Sequence, residues 1–383
     1  MKIVLAPQSF KGSLSAFQVA EALKRGILRI VPNAQTVLVP MADGGDGTLD
    51  VLLLGTGGRA ESCEVAGPLG MKVKARWGVM GEGKTAIIEM AEASGLTRVP
   101  VERRDPLTAT TYGTGELIRA ALDRGYRQFI IGVGGSATND GGAGMAQALG
   151  ATLSDDSGKP LTCGGAALAA LKSIDISSMD QRIRDSHFRV ASDVTNPLCG
   201  PHGASAVYGP QKGATPEMVE ELDRALEHYA EVIHRDLGIE VKEMPGAGAA
   251  GGLGAGVVAF LRADILPGVE LVADAIGLSQ HLQDADLLIT GEGRVDAQSG
   301  YGKTVMGVAS RAKALDVPVV VVAGSVGEGH ESLYQHGVDA VVSITSRPMT
   351  LEEAMRNAEQ LVKEAAEHII RLLLTGRRLQ SPM

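Results

Sequence analysis

The chain has 383 residues, 44% hydrophobic and only 3% aromatic, and a formal charge of −9. That acidity argues against a nucleic-acid binder, because phosphate backbones are held by clustered Lys and Arg. The aliphatic core, with 50 glycines set mostly behind apolar runs, points to covered α/β sheets whose loops let ligands approach the backbone.

Three cysteines without a CxxC pair give no zinc pattern and fit a reduced, cytoplasmic chain. The apolar run at the N-terminus is too short for a signal peptide. The longest charge-free stretch, 244–261, is broken by glycines and makes a poor membrane span. The expected chain is therefore cytoplasmic, without nucleic-acid or membrane partners, and a monomer or homodimer.

Lys2 to Ala6 reads as a short buried strand, followed by the loop Pro7-Gln-Ser-Phe-Lys-Gly12. Ser13 or Ser15 can cap a helix whose stripe is Val19, Ala20, Leu23, Ile27 and Ile30. Val37 to Val39 is a second strand, running into Asp43-Gly-Gly-Asp46-Gly-Thr48. This is the beginning of a parallel sheet. From Val65 the texture changes to strict alternation through Val73, Ala75, Trp77 and Val79, then a turn at Gly81-Glu-Gly83 and the run Thr85-Ala-Ile-Ile-Glu89: a hairpin.

A helix at 115–122 leads to the strand Phe129-Ile-Ile131 and the loop Gly132-Val-Gly134-Gly135-Ser136-Ala-Thr-Asn139-Asp140-Gly-Gly-Ala-Gly144. Phe188-Arg-Val190 leads into Ser192-Asp193-Val-Thr-Asn196-Pro197. Next come Gln211-Lys212 and a long amphipathic helix from Pro216 to about Leu237. The chain closes with a βαβ pattern: a strand at 287–289, a loop with Glu292, Arg294, Asp296, Gln298 and Lys303, a helix, strands at 317–323 and 340–344, and a helix from Thr350.

Two glycine motifs carry weak signals. Gly78-Val-Met-Gly-Glu-Gly-Lys84-Thr85 matches GxxxxGK[ST] in full but falls in a hairpin turn, where a phosphate cradle does not form. Gly246-Ala-Gly248-Ala-Ala-Gly251 matches GxGxxG after a polar stretch with only Ile239 and Val241 to make a strand. It reads as a dinucleotide loop, a glycine-lined nucleotide wall, or close packing.

Several strand-end loops repeat one formula of carboxylate, glycine and cation or amide. Phosphoryl transfer needs those groups: Lys and Arg for the moving charge, carboxylates for Mg²⁺, and free N–H groups for phosphate oxygens.

At these residues the chain resembles the bacterial class I glycerate kinases. The matching stretches are Ser9-Phe-Lys-Gly-Ser-Leu-Ser15, Ala42-Asp-Gly-Gly-Asp-Gly-Thr48, Ile131-Gly-Val-Gly-Gly-Ser-Ala-Thr-Asn-Asp-Gly-Gly142, Asp193-Val-Thr-Asn-Pro197, Tyr208-Gly-Pro-Gln-Lys-Gly-Ala214, Pro245-Gly-Ala-Gly-Ala-Ala-Gly-Gly252 and Thr290-Gly-Glu-Gly-Arg-Val-Asp-Ala-Gln-Ser299. The resemblance implies ATP-dependent phosphorylation of D-glycerate at its 2-hydroxyl. It also implies two α/β domains, one Rossmann-like with a parallel sheet and one inserted with a mixed sheet, and a site in the cleft. Gln8 stands where the family usually has Asp, and Asp46 where Glu is usual.

The expected domains are 1–66 with 270–383, and 67–269. Arg294 and Lys303 are expected to bind glycerate carboxylate or the transferring phosphoryl group. Lys11 would support the γ-phosphate, Asp193 or Asp296 would serve as base or metal ligand, and Asp43 with Asp46 would hold Mg²⁺. Ser9, Ser136, Asn139, Gln298 and Glu292 complete the substrate and phosphate set. Gly134, Gly135, Gly246, Gly248, Gly251 and Lys212 form the nucleotide set. A nicotinamide-dependent hydroxy-acid dehydrogenase and a non-catalytic small-acid sensor are the competing readings.

Overall fold

The computed structural model describes residues 1–297 and 304–380. They divide into two compact units: Met1–Asp43 with Val269–Met383, and Gly44–Gly268.

The first unit is built on a five-stranded parallel sheet. Lys2–Pro7 lies inside it, with Gln35–Leu38 on one side and Leu287–Val295, Val319–Val326 and Ala340–Ser343 on the other. A parallel sheet must be covered on both faces, so its central strands read as unbroken apolar runs. Val319, Val320, Val321 and Val322 are all buried. Ile3, Leu5, Leu287, Ile289, Val320 and Val322 face the helices Ala16–Ile30 and Ala358–Gln380. Ser15 caps the first of these through a reciprocal bond with Gln18, which satisfies two orphan N–H groups. The two helices approach closely: a Cβ at Gly26 would overlap the Lys363 carbonyl. The helix Thr304–Lys313 packs on Leu287–Val295.

The second unit carries a six-stranded mixed sheet. Thr85–Glu89, Gln128–Gly132, His187–Ala191 and Asp264–Leu266 are parallel. Lys72–Val79 and Arg59–Ala66 extend this sheet as an antiparallel edge. Thus Arg59–Ala66 belongs to the second unit, and the break in the chain falls at Asp43/Gly44 rather than at 66. The hairpin pairs Val79 with Ala86, so the GxxxxGK[ST] pattern is divided between two buried strand ends and an exposed turn at 81–84. Trp77 is buried there with its ring edge-on to Tyr126 at 5.7 Å.

Two expected elements take another form. No strand forms between Gly238 and Pro245, where Glu240, Lys242 and Glu243 interrupt the apolar residues. The C-terminal helix from Thr350 is broken into Leu351–Arg356 and Ala358–Gln380.

Candidate active site

In the first unit the chain progresses in opposite directions on either side of the central strands. Lys2–Pro7 is followed by its neighbour Gln35–Leu38, whereas Leu287–Val295 is followed by Val319–Val326 on the far side. Ligands of open α/β sheets sit at the carboxyl ends of strands where the order reverses. Here those ends belong to Lys2–Pro7 and Leu287–Val295, paired with Pro7 beside Gly291.

Ser9 and Lys11 follow Pro7, while the expected loop residues Glu292 and Arg294 continue the strand Leu287–Val295, paired with Ala323 and Ser325, and Asp296 follows its end. The Gln8 N–H donates to the Gly291 carbonyl at 2.8 Å. Gly293 lies beside the loop after Pro7, where a Cβ would sit in ordinary contact, 3.5 Å from Phe10 Cα and 3.6 Å from the Lys11 nitrogen. Thr290 Oγ1 locks the strands below by donating to the Ala6 carbonyl at 2.8 Å. Lys11 and Arg294 are exposed, and Arg294 Nε donates to Asp296 Oδ2 at 3.0 Å. Asp43 comes to the same strand end: Gln8 Nε2 donates to its Oδ2 at 2.8 Å. Gln298 and Lys303 lie outside the described residues.

The second unit gathers its loops at the carboxyl ends of its parallel strands. The loop after Gln128–Gly132 carries Gly134, Gly135, Ser136 and Asn139. Gly134 N–H donates to the Gly44 carbonyl at 3.0 Å. Gly135, in the left-handed region at φ +73°, rests against the Asp46 carboxylate so closely that a Cβ would overlap it. Asp193, exposed, accepts from the Gly268 N–H at 2.7 Å.

One carboxylate in this group carried no sequence expectation. Glu89 ends the strand Thr85–Glu89 and is 6% exposed. Its Oε1 accepts from Gly47 N–H at 3.1 Å and its Oε2 from Leu49 N–H at 2.9 Å. It thereby supplies the cap missing from the helix Thr48–Thr56, whose own N-cap is a glycine. Burial pushes its pKa up to about 7, against the pull of those two N–H groups. A charged residue closing the buried run Ala86-Ile-Ile88 was the available signal.

The remaining expected residues are interior. Ser136 is 7% exposed and Asn139 fully buried, with its Nδ2 on Ser205 Oγ at 2.9 Å. Lys212 is 1% exposed and donates to the Thr138 carbonyl at 2.7 Å. Gly246, Gly248 and Gly251 are buried against backbone: the space of a Cβ is occupied by Pro197 O at Gly248 and by Thr138 O at Gly251. Gly248 N–H is bonded to the Asn196 carbonyl at 3.0 Å.

The acidic side chains offer oxygen donors, as a hard divalent ion requires. Among the described residues no three Asp, Glu, His or Cys side chains group as a metal cage. No described helix is long and apolar enough to cross a membrane.

A model of the glycerate kinase family matches residues 3–374. The chain is 53% identical to the glycerate 2-kinase of Escherichia coli K12, over 99% of each chain. It is 52% identical to the glycerate kinase of Halalkalibacterium halodurans, over 96% of this chain and 97% of that one. A crystal structure assigned to glycerate kinase 2 of Salmonella typhimurium LT2 superposes with a TM-score of 0.87 at 52% identity, covering 99% of each chain.

Proposed function

The chain belongs to the glycerate kinase family, and from that premise we propose that it transfers the γ-phosphoryl group of ATP to the 2-hydroxyl of D-glycerate. The products are 2-phosphoglycerate and ADP. The observation that carries the chemistry is the pairing of Pro7 with Gly291 at the reversal point of a parallel sheet: Ser9 and Lys11 follow the first strand, and Arg294 and Asp296 lie at the end of the second.

Arg294 suits an oxyanion. Asp296 accepts from its Nε, and the guanidinium fork has the geometry to hold a carboxylate or phosphoryl oxygen. Lys11 adds a point charge for the γ-phosphate as negative charge shifts toward ADP. The glycerate hydroxyl oxygen attacks phosphorus, the bond to the β-phosphate oxygen breaks, and the hydroxyl proton passes to a carboxylate. Asp193 is the base in this reading; it is exposed, and its Oδ1 accepts the Gly268 N–H. Mg²⁺ would neutralise the phosphate oxygens, with Asp43 and Asp46 as its protein donors. The backbone of Gly134 and Gly135 would face the nucleotide.

No observation favours a dehydrogenase. The GxGxxG segment follows no strand, and its glycines are filled by neighbouring carbonyls. Product analysis of a reaction with D-glycerate and ATP tests the proposal; a folded protein that forms no phosphoglycerate overturns it.

A further inference from the structure

Lys212 presents a buried cation that the transfer step does not use. It ends the short turn Pro210–Lys212, and its ammonium donates to the carbonyl of Thr138 in the middle of the loop 132–142. Four residues of that stretch are held from behind. Asn139 Nδ2 donates to Ser205 Oγ on the helix Ala204–Tyr208. The Asp140 carboxylate accepts from Thr111 N–H and Thr111 Oγ1 at 2.8 and 2.9 Å. Gly141 N–H donates to the Gly251 carbonyl at 3.0 Å.

The turn itself is fixed. Gly213, at φ +95°, packs on the backbone of Arg104, and Arg104 Nη1 donates to the Gln211 carbonyl at 3.2 Å. Tyr208 OH donates to Asn196 Oδ1 at 2.8 Å, so the same segment also grips the loop that follows Asp193. Burial lowers the Lys212 ammonium to about 7, while the Asp140 carboxylate pulls it back up. A desolvated ammonium is a poor source of stability. A merely stabilising role would be filled as well by an apolar side chain.

We propose that Lys212 is a positioning residue, which together with Ser205 sets the height of the loop 132–142 so that the backbone of Gly134 and Gly135 meets the nucleotide. This rests on the reading that those glycines face ATP. Lys212 does not touch the phosphates; it acts through the Thr138 carbonyl.

Lys212→Met and Ser205→Ala test it, each titrated calorimetrically with ADP and assayed with both substrates varied. Loss of one charge-assisted bond predicts that Lys212→Met weakens ADP about tenfold, and loss of the neutral bond in Ser205→Ala about threefold. The KM for ATP should rise in step, with the KM for glycerate within about twofold of the parent. A rise confined to glycerate would overturn the nucleotide assignment of the loop while leaving it pinned. Unchanged constants for both substrates in a folded variant, even one with a lower melting temperature, would overturn the positioning role. Should Lys212→Met fail to fold, unchanged ADP affinity in Ser205→Ala overturns the proposal.

Discussion

Gln8 donates its carboxamide Nε2–H to the Asp43 carboxylate at 2.8 Å, with Gln8 itself only 8% exposed. The contact joins the end of the first strand to the loop that follows the second. An amide can make this bond at any pH; a second carboxylate can make it only while the pair shares a proton.

Gln8→Asp is therefore expected to create a coupled carboxylate pair with one raised pKa. Below that raised value the shared proton preserves the contact. As pH rises through it, both groups ionise and repel. The variant should match the parent near pH 5 and fall about 1–2 kcal/mol below it near pH 8. Urea unfolding at the two pH values checks this, and a gap that stays constant with pH counts against the pairing.

Glu89 makes a second pH-dependent prediction. Its folded pKa of about 7 lies above its ordinary value of 4.5, so the folded state favours the protonated form. Its contribution is complete below the unfolded value and is lost as pH rises through about 7. Glu89→Gln fixes the group neutral, though only one of the two N–H donors from Gly47 and Leu49 can then be accepted. The variant should be weaker than the parent at pH 4.5 and gain on it by about 2–3 kcal/mol by pH 8. Equal pH slopes for the two proteins would refute the raised pKa.

The glycines of 246–251 can be separated from a cofactor role by stability alone. Gly251 sits at φ +70°, and a Cβ there would overlap the Thr138 carbonyl. Gly238 has nearly the same φ, +71°, with no atom within 4 Å of the Cβ position. Gly238→Ala should cost about 1 kcal/mol from conformation only. Gly251→Ala should cost more than about 3 kcal/mol, because backbone must also move. Similar losses for the two would mean that Gly251 has room.

Much of this was legible in the sequence. The strand at 2–6, a serine cap at 13 or 15 and the hairpin at 73–89 follow from periodicity and turn chemistry, whereas the strand expected at 287–289 runs on to Val295. The hairpin also identified the complete GxxxxGK[ST] pattern as a turn, since alternation in Val73, Ala75, Trp77 and Val79 excludes a strand-to-helix junction. What stayed hidden depends on long-range packing. Lys212 was expected at the nucleotide from its motif, and its burial against the Thr138 carbonyl shows only once the distant elements are in place. Glu89 caps a helix that starts 41 residues earlier, read from the numbering of Thr48 and Glu89. The domain break moved to Asp43 because Arg59–Ala66 pairs with a strand further along the chain.

Arg294 tests the acceptor side. Removing the guanidinium should lower kcat/KM about 10²–10³-fold in Arg294→Ala. Arg294→Lys should recover little of it, since a single ammonium cannot reproduce the fork. Arg294 is exposed, so melting temperatures of both variants should stay near that of the parent. Full activity in Arg294→Lys would show that only a point charge is needed there.

The regiochemistry of phosphoryl transfer is the most direct test of the whole assignment. The purified protein, incubated with D-glycerate, ATP and Mg²⁺ and followed by ³¹P and ¹H NMR, should form 2-phosphoglycerate and ADP in equal amounts. Formation of 3-phosphoglycerate instead, or hydrolysis of ATP with glycerate unchanged, would contradict it.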